Sequence, residues 1–200
     1  MGTSESRYRA FLEGRGREGL RRELIQFEVL DARSVKVAGK TYVNLASNDY
    51  LGLRFHPDVI KRASEWASLY GTGSGASRHV TGNLSAFDAL EAKLARLKAK
   101  EAALIMASGF QTNGAVLQAL LDKAVLGEEP LVFSDRLNHA SMHFGCLAAG
   151  ARQIRYRHAD AHHLAQFLSQ YQSDTRPKFI LTESVFSMDG DVAPIAEIAG

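Results

Sequence analysis

The sequence predicts an α/β protein built on a mainly parallel sheet with helices on both faces. Three observations carry this reading. From Glu101 onward, runs of strand length (Ala103–Ala107, Leu131–Ser134, Gln153–Arg157 and Lys178–Thr182) alternate with helical patterns (Phe110–Asp122, His139–Ala149 and Ala161–Tyr171). Strand, helix and strand at these lengths imply right-handed βαβ crossovers and buried parallel strands. Second, Ser108-Gly109-Phe110-Gln111-Thr112-Asn113 joins the first of these strands to its helix through a Ser-Gly turn. Third, 200 residues that are 46% hydrophobic and 23% charged can bury a sizeable core.

The elements follow in order. Ser4 to about Phe27 reads as a charged helix, with Arg7, Arg9, Arg15, Arg17, Arg21 and Arg22 answered by Glu13, Glu18 and Glu23. Gly14, Gly16 and Gly19 weaken it, each by about 1 kcal/mol relative to alanine. Val35-Lys36-Val37 and Tyr42-Val43-Asn44-Leu45 flank Gly39-Lys40, a hairpin signal. Ser47-Asn48-Asp49-Tyr50-Leu51-Gly52 is a loop, and Pro57 opens a helix that continues from Val59 to Tyr70. In the glycine-rich stretch that follows, Gly71, Gly73 and Ala76 match a dinucleotide fingerprint. A helix rather than a strand precedes them, so a Rossmann site is rejected. Leu84, Phe87, Leu90, Leu94 and Leu97 form a helical stripe expected to pack in a core. A last helix begins after Pro194. The pattern stops at Gly200 with no cap and no closing strand, as expected of an N-terminal piece of a longer protein.

Several function classes drop out. A net charge of +2, with basic and acidic residues interleaved, argues against a nucleic-acid surface. The single cysteine, Cys146, excludes an internal disulfide, fits a reducing compartment, and reads as a packed small residue rather than a nucleophile. No apolar run approaches the roughly 18–20 residues of a membrane span. The N-terminus lacks a secretory apolar segment, so the expected location is cytoplasmic. There is no G-x-S-x-G elbow and no P-loop.

Ligands of open parallel sheets bind beyond the carboxyl ends of the strands, here Ser108–Asn113, Asp135–Ser141, His158–Asp160 and Glu183–Asp191. The first of these is either an anion cradle at a helix start or a plain turn capped by serine. His139 could stack on a planar ligand, exchange a proton, or simply cap its helix. His139 and His143 are spaced for a metal, but Ala140 stands where a zinc motif has glutamate, and no metal site is expected. Glu183 to Asp191 offers acid–base groups or turn formers.

Taken together, these loops resemble the α-oxoamine synthases, a branch of the fold-type-I, pyridoxal-phosphate-dependent aminotransferase-like enzymes. The matching stretches are Asn44–Gly52, Gly73–Arg78, Ser108-Gly109-Phe110 with Asn113, Phe133-Ser134-Asp135 with Asn138-His139-Ala140-Ser141, and Val185–Asp191, in family order. The resemblance implies a transferase joining an amino acid to an acyl-CoA or acyl-carrier-protein thioester, in most cases with loss of carbon dioxide. It implies that Ser108, Gly109 and Phe110 bind the phosphate of pyridoxal 5'-phosphate. His139 would stack on the ring and help position substrate, and Ser187 would hydrogen-bond the ring hydroxyl. Arg21 and Asn48 would meet the substrate.

The resemblance also implies a homodimer with shared active sites, the Gly71–Gly82 loop reaching the partner. Residues 1–55 would be a segment of the small domain and residues 56–200 an incomplete large domain. The family's cofactor-bearing lysine and its ring-nitrogen aspartate are expected beyond this chain, which alone should lack Schiff-base catalysis. Within the family, His79-Val80-Thr81-Gly82 favours the branch that condenses L-alanine with a pimeloyl thioester for biotin. Glycine acetyltransferase, serine palmitoyltransferase and aminolevulinate synthase tend to differ there. A catalytically dead partner subunit is the rival from another class.

Overall fold

The charged N-terminal helix, α1 (Ser4–Arg17), ends well short of the expected Phe27. Gly19 stops it: with φ 66° it adopts the left-handed conformation of a helix C′ residue. Its N–H bonds Gly16 O at 3.1 Å, and the Leu20 N–H bonds Arg15 O at 2.8 Å, the paired bonds of a Schellman cap. The computed structural model describes residues 4–199; the uncapped end expected at Gly200 lies outside them. The chain divides into two compact units after Ser85.

In the first unit, β1 (Glu28–Val29), β2 (Ser34–Val37) and β3 (Lys40–Val43) form an antiparallel sheet. The expected hairpin is β2 and β3, turning through Ala38 and Gly39, both at positive φ as a tight two-residue turn requires. The additional strand β1 pairs Glu28 with Lys36 and Val29 with Val35, and Glu28 Oε2 lies 2.8 Å from Lys36 Nζ. A 3-10 turn (Leu53–Phe55) leads to α2 (Pro57–Tyr70), with proline in its first turn as expected and His56 Nδ1 accepting from Asp58 N–H. Val35 is the buried apolar residue of this unit.

The second unit carries the core. Helix α3 spans Ser85–Leu97. Its leucine stripe was expected in a core, yet Leu90 is 42% and Leu97 74% exposed, while Ala95 is buried. A stripe marks a face able to be buried without specifying what covers it. The run Ala103–Ala107, expected as a strand, is extended without a ladder. Ile105 N–H bonds the Glu91 carboxylate at 2.7 Å instead of a neighbouring strand. An apolar run carries no information about the strand that would pair with it, which is why this expectation failed.

Helix α4 (Gly109–Leu120) and the short α5 (Lys123–Leu126) precede β4 (Leu131–Asp135). Then come α6 (Ala140–Ala148), β5 (Gln153–Tyr156), α7 (Ala161–Gln170), β6 (Lys178–Leu181) and α8 (Ile195–Ala199). The three strands are parallel in the order β5-β4-β6, so β4 is central and all five of its residues are buried. Alternate residues of β4 serve opposite faces. Val132 packs with Leu117, Leu121, Cys146 and Ala151 beneath α4 and α6. Leu131 and Phe133 pack with Tyr156 and Leu164 beneath α7, with Ile198 of α8 alongside. Helices thus cover both faces, as the sequence predicts.

Helices α4 and α6 meet closely. A Cβ on Gly145 would stand 2.9 Å from Asn113 O and 2.9 Å from Leu117 Cβ, so only glycine fits. No described helix is long and apolar enough to cross a membrane.

Candidate active site

Three chain segments beyond the carboxyl end of the parallel sheet surround an open cavity of about 650 Å³. The start of α4 contributes Gly109, Phe110, Thr112 and Asn113; the start of α6 contributes His139, Ser141 and Met142; the stretch after β6 contributes Thr182 to Val185.

Ser108 is the N-cap of α4, its Oγ accepting from Gln111 N–H at 3.1 Å. Thr112 N–H bonds Ser108 O at 2.9 Å. The N–H groups of Gly109 and Phe110 have no intrahelical acceptor and lie at the positive end of the helix dipole. A Cβ built on Gly109 would meet nothing within 4 Å, so the space beside this backbone is open to an anion. The turn is a serine-capped helix start, and the cap leaves two backbone donors at the edge of the cavity.

His139 is the N-cap of α6, its Nδ1 accepting from Ser141 N–H at 3.1 Å. Ser141 Oγ lies 2.6 Å from the same Nδ1 and accepts from Asn113 Nδ2 at 2.9 Å. With Nδ1 accepting, the proton of the neutral ring sits on Nε2. The backbone N–H of His139 bonds Glu183 Oε1 at 2.5 Å. Asn138 Nδ2 bonds Ser134 Oγ at 3.1 Å and Leu181 O at 2.8 Å, tying this corner to β4 and β6.

The cavity therefore gathers Gly109, Phe110 and His139 from among the expected residues. Ser108 acts behind it as the cap. Ser187 lies on the exposed loop after β6, at residues 184–193, and does not line the cavity. Arg21 and Asn48 belong to the first unit: Arg21 Nε is 3.6 Å from Glu23 Oε1, and Asn48 Oδ1 accepts from the Tyr50 hydroxyl at 3.5 Å. Cys146 is fully buried among apolar residues, and burial pushes its thiol pKa up, which removes it as a nucleophile. Among the described residues no cluster of three metal-ligating side chains occurs. Ser141 and Glu183 hold His139 in place, with Asn113 behind Ser141 and Asn138 fixing the adjoining backbone; their side-chain types alone did not reveal this, and their signal was recurrence at strand ends.

The model of the family "Aminotransferase class I and II" matches residues 40–199. A putative 8-amino-7-oxononanoate synthase of Paramagnetospirillum magneticum is 54% identical over 94% of this chain and 48% of its own length. An 8-amino-7-oxononanoate synthase of Gluconacetobacter diazotrophicus is 54% identical over 81% of the chain and 41% of its own. Among solved structures, a serine palmitoyltransferase from S. paucimobilis with a bound PLP–myriocin aldimine aligns with TM-score 0.86 and 26% identity. That alignment covers 98% of this chain and 49% of the other. The 8-amino-7-oxononanoate synthase of Francisella tularensis aligns at TM-score 0.59 and 26% identity over 77% of this chain and 40% of the other. The chain spans about half the length of the relatives it matches. With residues 40–199, most of its length, inside the matched segment, the chain belongs to the aminotransferase class I and II family.

Proposed function

We propose that the whole protein is a pyridoxal-phosphate-dependent acyltransferase, an 8-amino-7-oxononanoate synthase of biotin biosynthesis. It would join L-alanine to pimeloyl-CoA or a pimeloyl-carrier protein, with loss of carbon dioxide. The observation that supports this most is the cavity in which a capped helix start and an oriented imidazole face the same space. Two relatives carrying that name, each 54% identical to this chain, support this branch of the α-oxoamine synthases.

The residues present fit the cofactor. A phosphate suits the two free N–H groups at the start of α4 and the open space beside Gly109. A flat aromatic ring suits the face of His139. When bound, the cofactor supplies an electron sink for charge developing at the amino acid Cα. The chain's own residues do the rest. Gly109 and Phe110 hold the phosphate, with Ser108 closing the helix start behind them. His139, fixed by Ser141 and Asn113, stacks on the ring and presents its Nε2 proton to the substrate side. Ser187 donates to or accepts from the ring hydroxyl. Asn48 and Arg21 meet the substrate carboxylate or acyl part, where a guanidinium suits an anion.

The protein works as a cytoplasmic homodimer, with the Gly71–Gly82 loop reaching the partner's site and residues 56–200 forming the start of the large domain. The lysine that carries the cofactor and the aspartate facing its ring nitrogen belong to the half of the relatives that this chain does not span.

The test has two arms. Full-length protein supplied with L-alanine and pimeloyl-CoA should release free thiol and carbon dioxide; no thiol overturns the reaction. Pyridoxal phosphate should bind the protein at least about tenfold more weakly after Gly109→Trp, which fills the phosphate space. Unchanged affinity overturns the cradle.

A further inference from the structure

We propose that His158 is a positioning residue: it clamps the 184–193 loop, and with it Ser187, to the carboxyl end of the parallel sheet. His158 follows β5, beside the cavity but outside it. Its Nδ1 lies 3.0 Å from Asp135 Oδ1 and its Nε2 lies 2.6 Å from Asp191 Oδ2. Both partners are carboxylate oxygens, which only accept, so both ring nitrogens must donate. The ring is therefore held as an imidazolium between two anions.

The two anchors differ in kind. Asp135 ends the central strand, is fully buried, and also accepts from Leu137 N–H at 2.9 Å and Ala159 N–H at 2.8 Å. It is a fixed post. Asp191 sits on the far side of the loop that carries Ser187. That loop closes on itself through Phe186 N–H to Asp191 O at 2.9 Å, Gly190 N–H to Phe186 O at 2.8 Å, and the Val185–Val192 bridge. Phe186, next to Ser187 and buried, meets the His158 ring edge-on, with centroids 4.4 Å apart at 89°. One imidazole thus grips two residues of the loop, Asp191 by charge and Phe186 by packing.

The charged and titratable groups around His158 are few. Asp135 faces it from β4 and Asp191 from the loop. Arg157, its neighbour in sequence, points to Asp160, with Nε 2.8 Å from Oδ2, while the Arg157 N–H bonds His163 Nδ1 of α7 at 2.9 Å. The hydrogen bond to Asp135 raises the His158 pKa above the ordinary histidine value, with Asp191 adding to it against the opposing effect of burial. The clamp is therefore closed at and below the ordinary histidine range and opens as pH rises through the raised value.

The consequence for the cofactor rests on the role of Ser187 proposed above; the clamp itself does not. The test reads the loop directly, without cofactor. Hydrogen-exchange protection of the Phe186 and Gly190 amides is measured for the wild-type chain, His158→Gln and Asp191→Asn at roughly pH 6 and roughly pH 9, on either side of neutral histidine titration. At the lower pH, both variants should lose about tenfold or more in protection at these amides, as expected for a lost charged hydrogen bond, while Phe133 in β4 stays protected. Wild type should show the same loss at the higher pH, and His158→Gln should show no pH dependence. Unchanged loop protection in Asp191→Asn, or pH-independent protection in wild type, overturns the clamp. Pyridoxal phosphate affinity is then measured for His158→Gln and Ser187→Ala. Weakening in both supports the link to the cofactor. Loosened exchange with unchanged affinity in both leaves the clamp standing and overturns the Ser187 role.

Discussion

The first unit and the second are built from similar local signals and end with very different interiors. In residues 4–85 each element is held by a neighbour in sequence: the Schellman cap at Gly19, the Ala38–Gly39 turn, and His56 capping α2. Neither α1 nor α2 buries a residue, and Leu24, Leu45, Tyr50 and Leu51 stand exposed. In residues 86–199 the decisive contacts are distant in sequence. Strand β4 lies between strands that follow it, and its alternate residues enter two separate apolar clusters. Local devices make elements; only layers on both sides make a core.

The sharpest way to break this contrast is to truncate side chains in each unit. Phe133→Ala, in the buried centre of β4, should cost roughly 3–5 kcal/mol in urea unfolding. Val35→Ala, in the first unit, should cost about 1 kcal/mol or less, because no other apolar residue described in this unit is buried with it. Similar losses would show that the first unit has a core of comparable weight. Gly145→Ala comes next. Its Cβ would press on Asn113 O and Leu117, at a cost of about 1–3 kcal/mol, and would separate Asn113 from Ser141. Weaker pyridoxal phosphate binding should accompany the stability loss; stability loss without it would detach α4–α6 packing from the site.

The smallest effect should come from Asp174. The Arg176 guanidinium holds its carboxyl down to about 2 from the ordinary 3.8. Its folded pKa is depressed, so its contribution is present above the ordinary value and is lost as pH falls through about 2. Asp174→Asn should therefore lower stability slightly at neutral pH, the loss staying small because the pair is partly solvent-exposed and fading as pH falls from the ordinary value to about 2. A large neutral loss would show that this surface loop matters to the core.

What the sequence shows clearly is what short range controls. The β2–β3 turn, Pro57 in the first turn of α2, the serine cap of α4 and the alternation of β4 to β6 with helices were all legible. The stop at Gly19 was legible too, since glycine followed by leucine is the pattern of such a cap, but a reading by charge ran past it. Strand β1, at two residues, is too short to leave a periodic signal. Whether Ala103–Ala107 enters a ladder, or the α3 stripe enters a core, depends on partners that neither run encodes. At the site, Gly109, Phe110 and His139 emerged because strand ends concentrate ligand chemistry. The Asp135–His158–Asp191 clamp did not, because its members are separated by 23 and 33 residues and only the folded sheet brings them together.

The order β5-β4-β6 has a further consequence. With β4 in the middle, the outer backbone edges of β5 and β6 are not laddered to any other described strand. The β6 run Phe179-Ile180-Leu181 is apolar and only half-buried. Such an edge is a template for another copy of the same chain. Handled alone at high concentration, the chain should therefore associate edge to edge, and a charge placed at Phe179 or Ile180 would restrain that association at the expense of the core. The same hydrogen-bonding capacity that lets a parallel sheet grow strand by strand makes its open margin adhesive.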